Sequence, residues 1–118
     1  MNVKKALLLR REKVVERLPP FAEIARGSLV ERHLRCGKPN CRCARKHDPG
    51  HRVFYLTVSF SRGRTEQVTV PVDLVPYVRQ WLENYERWWQ GLEEVSEINR
   101  ELLRKRWVGE GKRRTRRR

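Results

Sequence analysis

Arg52-Val53-Phe54-Tyr55-Leu56-Thr57-Val58-Ser59-Phe60 alternates without a break: Phe54, Leu56, Val58 and Phe60 share one side, and Val53, Tyr55, Thr57 and Ser59 share the other. Period-two alternation of β-branched and aromatic residues marks a strand that rests one side on a core. Forward of it, Ser61-Arg62-Gly63-Arg64 reads as a turn, and Thr65 to Val70 as a returning strand with Val68 and Val70 inward. Behind it, Ser28 to Arg35 alternates too. Strands over 28–35, 52–60 and 65–70 are therefore predicted, forming a small three-stranded antiparallel sheet.

Between the first two strands stands Cys36-Gly37-Lys38-Pro39-Asn40-Cys41-Arg42-Cys43, followed by His47 and His51, and this stretch holds all 3 cysteines of the chain. Thiolate and imidazole are the donors zinc prefers, and three cysteines with one histidine complete a closed tetrahedral site. Gly37, Pro39 and Asn40 supply the turn that lets Cys36 and Cys41 converge. The expected ligands of a structural zinc are Cys36, Cys41, Cys43 and His51. His51 is favoured because it opens the best strand. His47, beyond Asp48-Pro49-Gly50, is the alternative fourth ligand, and His33 an outside option. The charge of Arg42, Arg45 and Lys46 argues against cysteines that merely pack. Those cations would also lower a thiol pKa, so a reactive cysteine is a competing reading, but no orienting acid accompanies it.

From Asn2 to Leu18, Val3, Leu7, Val14 and Leu18 recur at helical spacing, widened by Leu8 and Val15. A helix over 2–18 ends at Pro19-Pro20, and a second, over 20–26, is expected to open on Pro20 and stop at Gly27. After Pro71, Asp73 is a good N-cap for a long helix over 73–106. Trp81, Tyr85, Trp88, Leu92, Val95, Asn99 and Leu102 follow a 3.5-residue repeat on it, a seam suited to the core or to self-association, with Asn99 fixing register. At about 1.5 Å per residue such a helix is about 50 Å long, so it must protrude, bend at Gly91 or pack on another copy. The fold class is α+β: an N-terminal helical pair, the sheet with its zinc loop, and a long C-terminal amphipathic helix. One zinc-stabilised domain is expected over 1–108, and a disordered basic tail over 109–118.

The net charge is +14 in 118 residues. Residues 32–52 carry seven basic side chains against one acidic, and 104–118 nine against one, whereas 53–103 carry more acid than base. Arg32, Arg35, Lys38, Arg42, Arg45, Lys46 and Arg52 in the loop, with Lys112, Arg113, Arg114, Arg116, Arg117 and Arg118 in the tail, are candidate phosphate contacts. DNA or RNA is the expected partner. A homodimer or a protein partner on the C-terminal helix is the rival. Paired carboxylates with metal-ligand spacing, a phosphate-cradling loop and a Ser/His/Asp arrangement are all missing, so no enzyme is expected. With no apolar run near the roughly 20 residues of a membrane span, a cytoplasmic protein is expected, nucleoid-associated if it binds DNA.

Several segments carry a resemblance. They are Arg26-Gly27-Ser28-Leu29-Val30-Glu31-Arg32, the stretch from Cys36 to Cys43, Gly50-His51, Phe54-Tyr55-Leu56, Val70-Pro71, Trp81-Leu82-Glu83-Asn84-Tyr85 and Ser96-Glu97-Ile98-Asn99. Across roughly residues 22–104 the chain resembles a prokaryotic family of small CxxxxCxC proteins labelled domain of unknown function 6788, associated with mobile elements. The resemblance implies a histidine ligand at the position of His51 and an accessory role to a mobile element. It brings no activity.

Overall fold

The computed structural model describes residues 2–106. The protein is α+β, with α1 (Val3–Glu16), β1 (Ser28–Leu34), β2 (His51–Ser59), β3 (Thr65–Val70) and α2 (Val75–Arg104) in chain order. Short 3-10 turns stand at Arg42–Ala44, Ser61–Gly63 and Val72–Leu74. The described residues divide into two compact units, one of residues 22–85 and one of residues 2–21 with 86–106. The tail expected to be disordered, 109–118, lies outside the described residues.

In the first unit the strands are antiparallel in the order β1-β2-β3. The alternation in β2 sets its two sides. Phe54 is buried with Val70, Val75 and Val78, and Leu29, Leu56 and Leu82 pack against them, so the start of α2 covers this side. Val68, expected inward, is 48% exposed. It sits on an edge strand beside Leu56, beyond the Phe54–Val70 rung on which the buried helix residues rest.

The helix expected over 20–26 does not form. Tandem proline fixes φ twice and removes two backbone donors, leaving too few residues before Gly27 for a helix to supply its own bonds. The segment is instead tied down from outside. Ala25 N–H donates to the Trp81 carbonyl at 3.1 Å, and Asn84 Nδ2 donates to the Glu23 carbonyl at 2.8 Å. Arg26 donates to the Ser59 carbonyl at 2.9 Å. There is thus one N-terminal helix, not a pair.

In the second unit Asn2 caps α1, its side chain accepting from Lys5 N–H at 2.7 Å. Val14 of α1 is buried with Ile98 and Leu102 of α2, flanked by Leu7, Leu8 and Val95. The long helix therefore finds a partner within its own chain. It neither breaks nor turns at Gly91, where α2 is continuously helical. Gly91 is buried against Leu18: a Cβ there would come within 2.5 Å of Leu18 Cδ2. The 3.5-residue seam is not one buried stripe, since Leu92 is 56% exposed while Ile98, off the seam, is fully buried. A straight helix drifts about 20° per heptad from a 3.5 repeat, so a short α1 cannot follow the seam along its length. Asn99, expected to set the register of a dimer, accepts from Arg11 of the same chain at 2.7 Å. Trp88 donates to the Pro19 carbonyl at 2.9 Å and meets Phe21 in a tilted pair, ring centroids 5.0 Å apart and planes at 60°.

Candidate metal centre

The last rung of the β1–β2 ladder pairs Leu34 with His51, so the intervening loop is closed at its base by the sheet. Gly50 makes that closure possible. Its φ is +98°, in the left-handed region, and a Cβ would meet the Leu34 carbonyl oxygen at 2.9 Å. Cys36 follows β1 by two residues, and the turn at Arg42–Ala44 swings Cys43 inward until it is fully buried.

The ligand atoms of Cys36, Cys41, Cys43 and His51 all lie within 4.8 Å of one another. The sulfurs of Cys36 and Cys43 are 3.5 Å apart, and Cys41 Sγ is 3.2 Å from His51 Nε2. Around a tetrahedral ion with bonds of about 2.3 Å to sulfur and about 2.0 Å to nitrogen, ligand atoms stand roughly 3.5–3.8 Å apart, so the four residues can hold a metal ion. The Cys36 amide donates to Cys43 Sγ at 3.3 Å, the kind of contact that steadies a thiolate. The Cys43 backbone amide, with the thiols of Cys36 and Cys43 and the imidazole of His51, brings the Cys41 thiol down to about 6. The Cys36 amide also draws Cys43 down, but burial and the neighbouring sulfurs outweigh it and push that thiol up.

Outside the four ligands stands a clamp. The Arg35 guanidinium donates to the carbonyls of Cys43, Arg45 and Asp48, the last two at 3.2 and 2.7 Å. Asp48 accepts from Gly50 N–H at 2.8 Å through one oxygen and from Arg42 at 3.1 Å through the other. The Gly50 amide, with the charges of Arg42 and Arg35, holds its carboxyl below the usual range.

The structure brings Cys36, Cys41, Cys43 and His51 together and leaves the other histidines out. His47 is exposed, and His33 stands 3.5 Å from Glu31, which also takes Arg52 at 2.9 Å. Of the seven loop cations proposed for phosphate, Arg35, Arg42 and Arg52 are engaged within the chain, and Arg32 lies over the Tyr55 ring at 5.8 Å. Lys38, Arg45 and Lys46 are exposed, and their side chains have no partner among the described residues. Lys112, Arg113, Arg114, Arg116, Arg117 and Arg118 lie outside the described residues. The Arg35 clamp was not foreseen from the sequence. The Asp48-Pro49-Gly50 turn carries the Asx-turn signature that could have disclosed its other half.

A family model described as "Domain of unknown function (DUF6788)" matches residues 4–80, a span that takes in all of α1 but its first residue, the whole sheet and all four candidate ligand residues. The match ends before Trp81, so the later segments of α2 fall outside it. No curated protein and no solved structure matches the chain. No helix of the described residues is long and apolar enough to cross a membrane.

Proposed function

The chain belongs to this family of domains of unknown function, and on that footing we propose that it is a small zinc-stabilised nucleic-acid-binding or accessory protein, serving a prokaryotic mobile element. Three thiols and an imidazole whose donor atoms lie within 4.8 Å of one another form a soft donor set, and among common ions zinc suits it best. Zinc with three thiolates carries a net −1, which the surrounding cations more than offset. Zinc is structural in this reading: it fixes the loop, and the loop presents charge.

The observation that carries the reading is the division of labour among the loop cations. Arg35 and Arg42 hold the loop's shape, which frees Lys38, Arg45 and Lys46 to meet phosphate. Phosphate contacts of this kind position a polyanion without reading its bases. A second reading, a protein-binding adaptor, draws on Trp89 and Leu92 of α2, which are 49% and 56% exposed.

Gel shifts with the full metal-loaded chain decide between them. Binding of DNA or RNA at about 50 mM salt, weakening steeply as salt rises, supports the nucleic-acid reading. Binding to neither polymer at that salt removes it and leaves the adaptor.

A further inference from the structure

Resting on the nucleic-acid reading above, we propose that the ligand is a single strand of DNA or RNA lying across the side of the sheet opposite Phe54, with Tyr55 and the Arg32 guanidinium over its ring the platform on which a base stacks.

The register builds this surface. Tyr55 projects from the central strand on the side opposite Phe54, with Val30 of β1 and Thr69 of β3 as its cross-strand neighbours. Arg32 sits one alternate position along β1, opposite Val53, and its guanidinium lies 5.8 Å from the centre of the Tyr55 ring. Val30, Val53, Tyr55 and Thr57 are half-buried and the Thr57 hydroxyl is covered, while Arg32 and Thr69 on the flanking strands are exposed, so the reachable strip is the one that Arg32, Tyr55 and Thr69 form. His51 shares this side, since 51, 53 and 55 alternate together. The metal centre and the aromatic platform are therefore two ends of one surface.

Charge selects the occupant. The carboxylates of the strands, Glu31 and Glu66, are paired with Phe54 and Val58 in the register and so belong to the other side. The strands thus bring an arginine and no acid to the side that carries Tyr55. At its His51 end it runs into the loop that carries Lys38, Arg45 and Lys46. A strip with cations at one end and an aromatic ring flanked by arginine in the middle matches a polymer that alternates phosphate with flat bases. A duplex hides its base faces inside its own stack, whereas a single strand offers them to aromatic and guanidinium planes.

The test is anisotropy titration of the full metal-loaded chain at about 50 mM salt, against oligothymidylate, oligouridylate and a duplex of mixed sequence. The expected result is tighter binding of a single strand than of duplex, with Tyr55→Ala weakening the single strand about tenfold and leaving the duplex unmoved. Tyr55→Phe keeps the ring and keeps the affinity. Thr69→Glu, an exposed change that places a negative charge beside the platform, weakens the single strand as well, and it decides the matter if Tyr55→Ala fails to fold. The two single-stranded arms tell DNA from RNA. Duplex bound as tightly as single strand, or Thr69→Glu binding like the parent, overturns the inference while the nucleic-acid reading survives. Binding to none of the three polymers takes down both.

Discussion

His51 Nε2 lies 3.2 Å from Cys41 Sγ, although one comes from the first residue of a strand and the other from an irregular loop. Register therefore brings the imidazole to the thiols: a slip of one residue in β2 would send it to the other side of the sheet. The expected metal content is one zinc per chain, lost or sharply reduced in Cys41→Ser and weakened in His51→Ala. Because the loop has little apolar packing of its own, chelation should lower the melting temperature of the whole chain. Metal analysis with paired melts checks both, and a metal-free chain that melts as the loaded one does would end the zinc reading.

Cys41 and Cys43 stand two residues apart yet differ in protonation. Cys41 is drawn down to about 6 by the Cys43 amide and its other donors, so above that pH its thiolate predominates. Cys43 is buried and pushed up, so it stays protonated at neutral pH. In metal-free protein, alkylation of Cys41 should rise as pH passes about 6 and outrun that of Cys43 at pH 7. Bound metal should protect both. Mass spectrometry of timed, quenched samples gives the two rates, and equal rates at pH 7 would contradict the assignment.

Arg35 grips the loop through the carbonyls of Cys43, Arg45 and Asp48. Lysine carries the same charge on a single point and cannot span three carbonyls with a planar fork. Arg35→Lys should therefore weaken metal binding by about 10- to 100-fold, the usual cost of losing a group that holds the ligands in place. Competition with a chromophoric chelator measures it. Lys38→Ala, at a side chain with no partner among the described residues, should leave metal affinity unchanged.

The sheet and the cysteine–histidine cluster were legible because each rests on short-range signals. The alternation from Val53 to Ser59 is a property of one strand, and the spacing Cys36, Cys41, Cys43 is a property of one loop. The segment 20–26 was not legible, since its backbone bonds go to Trp81 and Asn84 and its Arg26 side chain to Ser59, all distant in sequence. The seam on α2 misled for a related reason. Its repeat is real, but the surface actually covered depends on where α1 lies, which places Ile98 inside and Leu92 outside. Arg35 looked like one more cation in a basic loop because charge counts do not show which carbonyls a guanidinium can reach.

Asn84 is 2% exposed, donates to the Glu23 carbonyl at 2.8 Å and accepts from Gln80 Nε2 at 2.9 Å. With the Ala25 N–H bond to the Trp81 carbonyl, it ties α2 to the segment before β1. Asn84→Ala leaves that carbonyl without its donor and should cost about 1–3 kcal/mol. Asn84→Asp keeps the size but replaces the donor with a second acceptor facing the carbonyl, and should cost at least as much. Denaturant titration of both variants checks the order, and hydrogen exchange should show the Ala25 amide losing protection in each.

Gly91 sets two effects against each other. Alanine in mid-helix is worth about 1 kcal/mol over glycine. Here, however, the new methyl would stand 2.5 Å from Leu18 Cδ2 and 3.9 Å from Val14 Cγ1, with Val14 itself buried in the core of this unit. The crowded atom is the end of a half-buried leucine side chain, which can turn aside at a fraction of the about 1–3 kcal/mol that overpacking otherwise costs, so Gly91→Ala should gain less than the full helix-propensity increment. The size of the gain should depend on Leu18. In a Leu18→Ala background the space is open, and adding Gly91→Ala should then stabilise by roughly the helix-propensity gain. A double-mutant cycle by denaturant unfolding reads the coupling directly. If Gly91→Ala stabilises the parent chain as much as it stabilises the Leu18→Ala variant, the glycine is not there to admit Leu18.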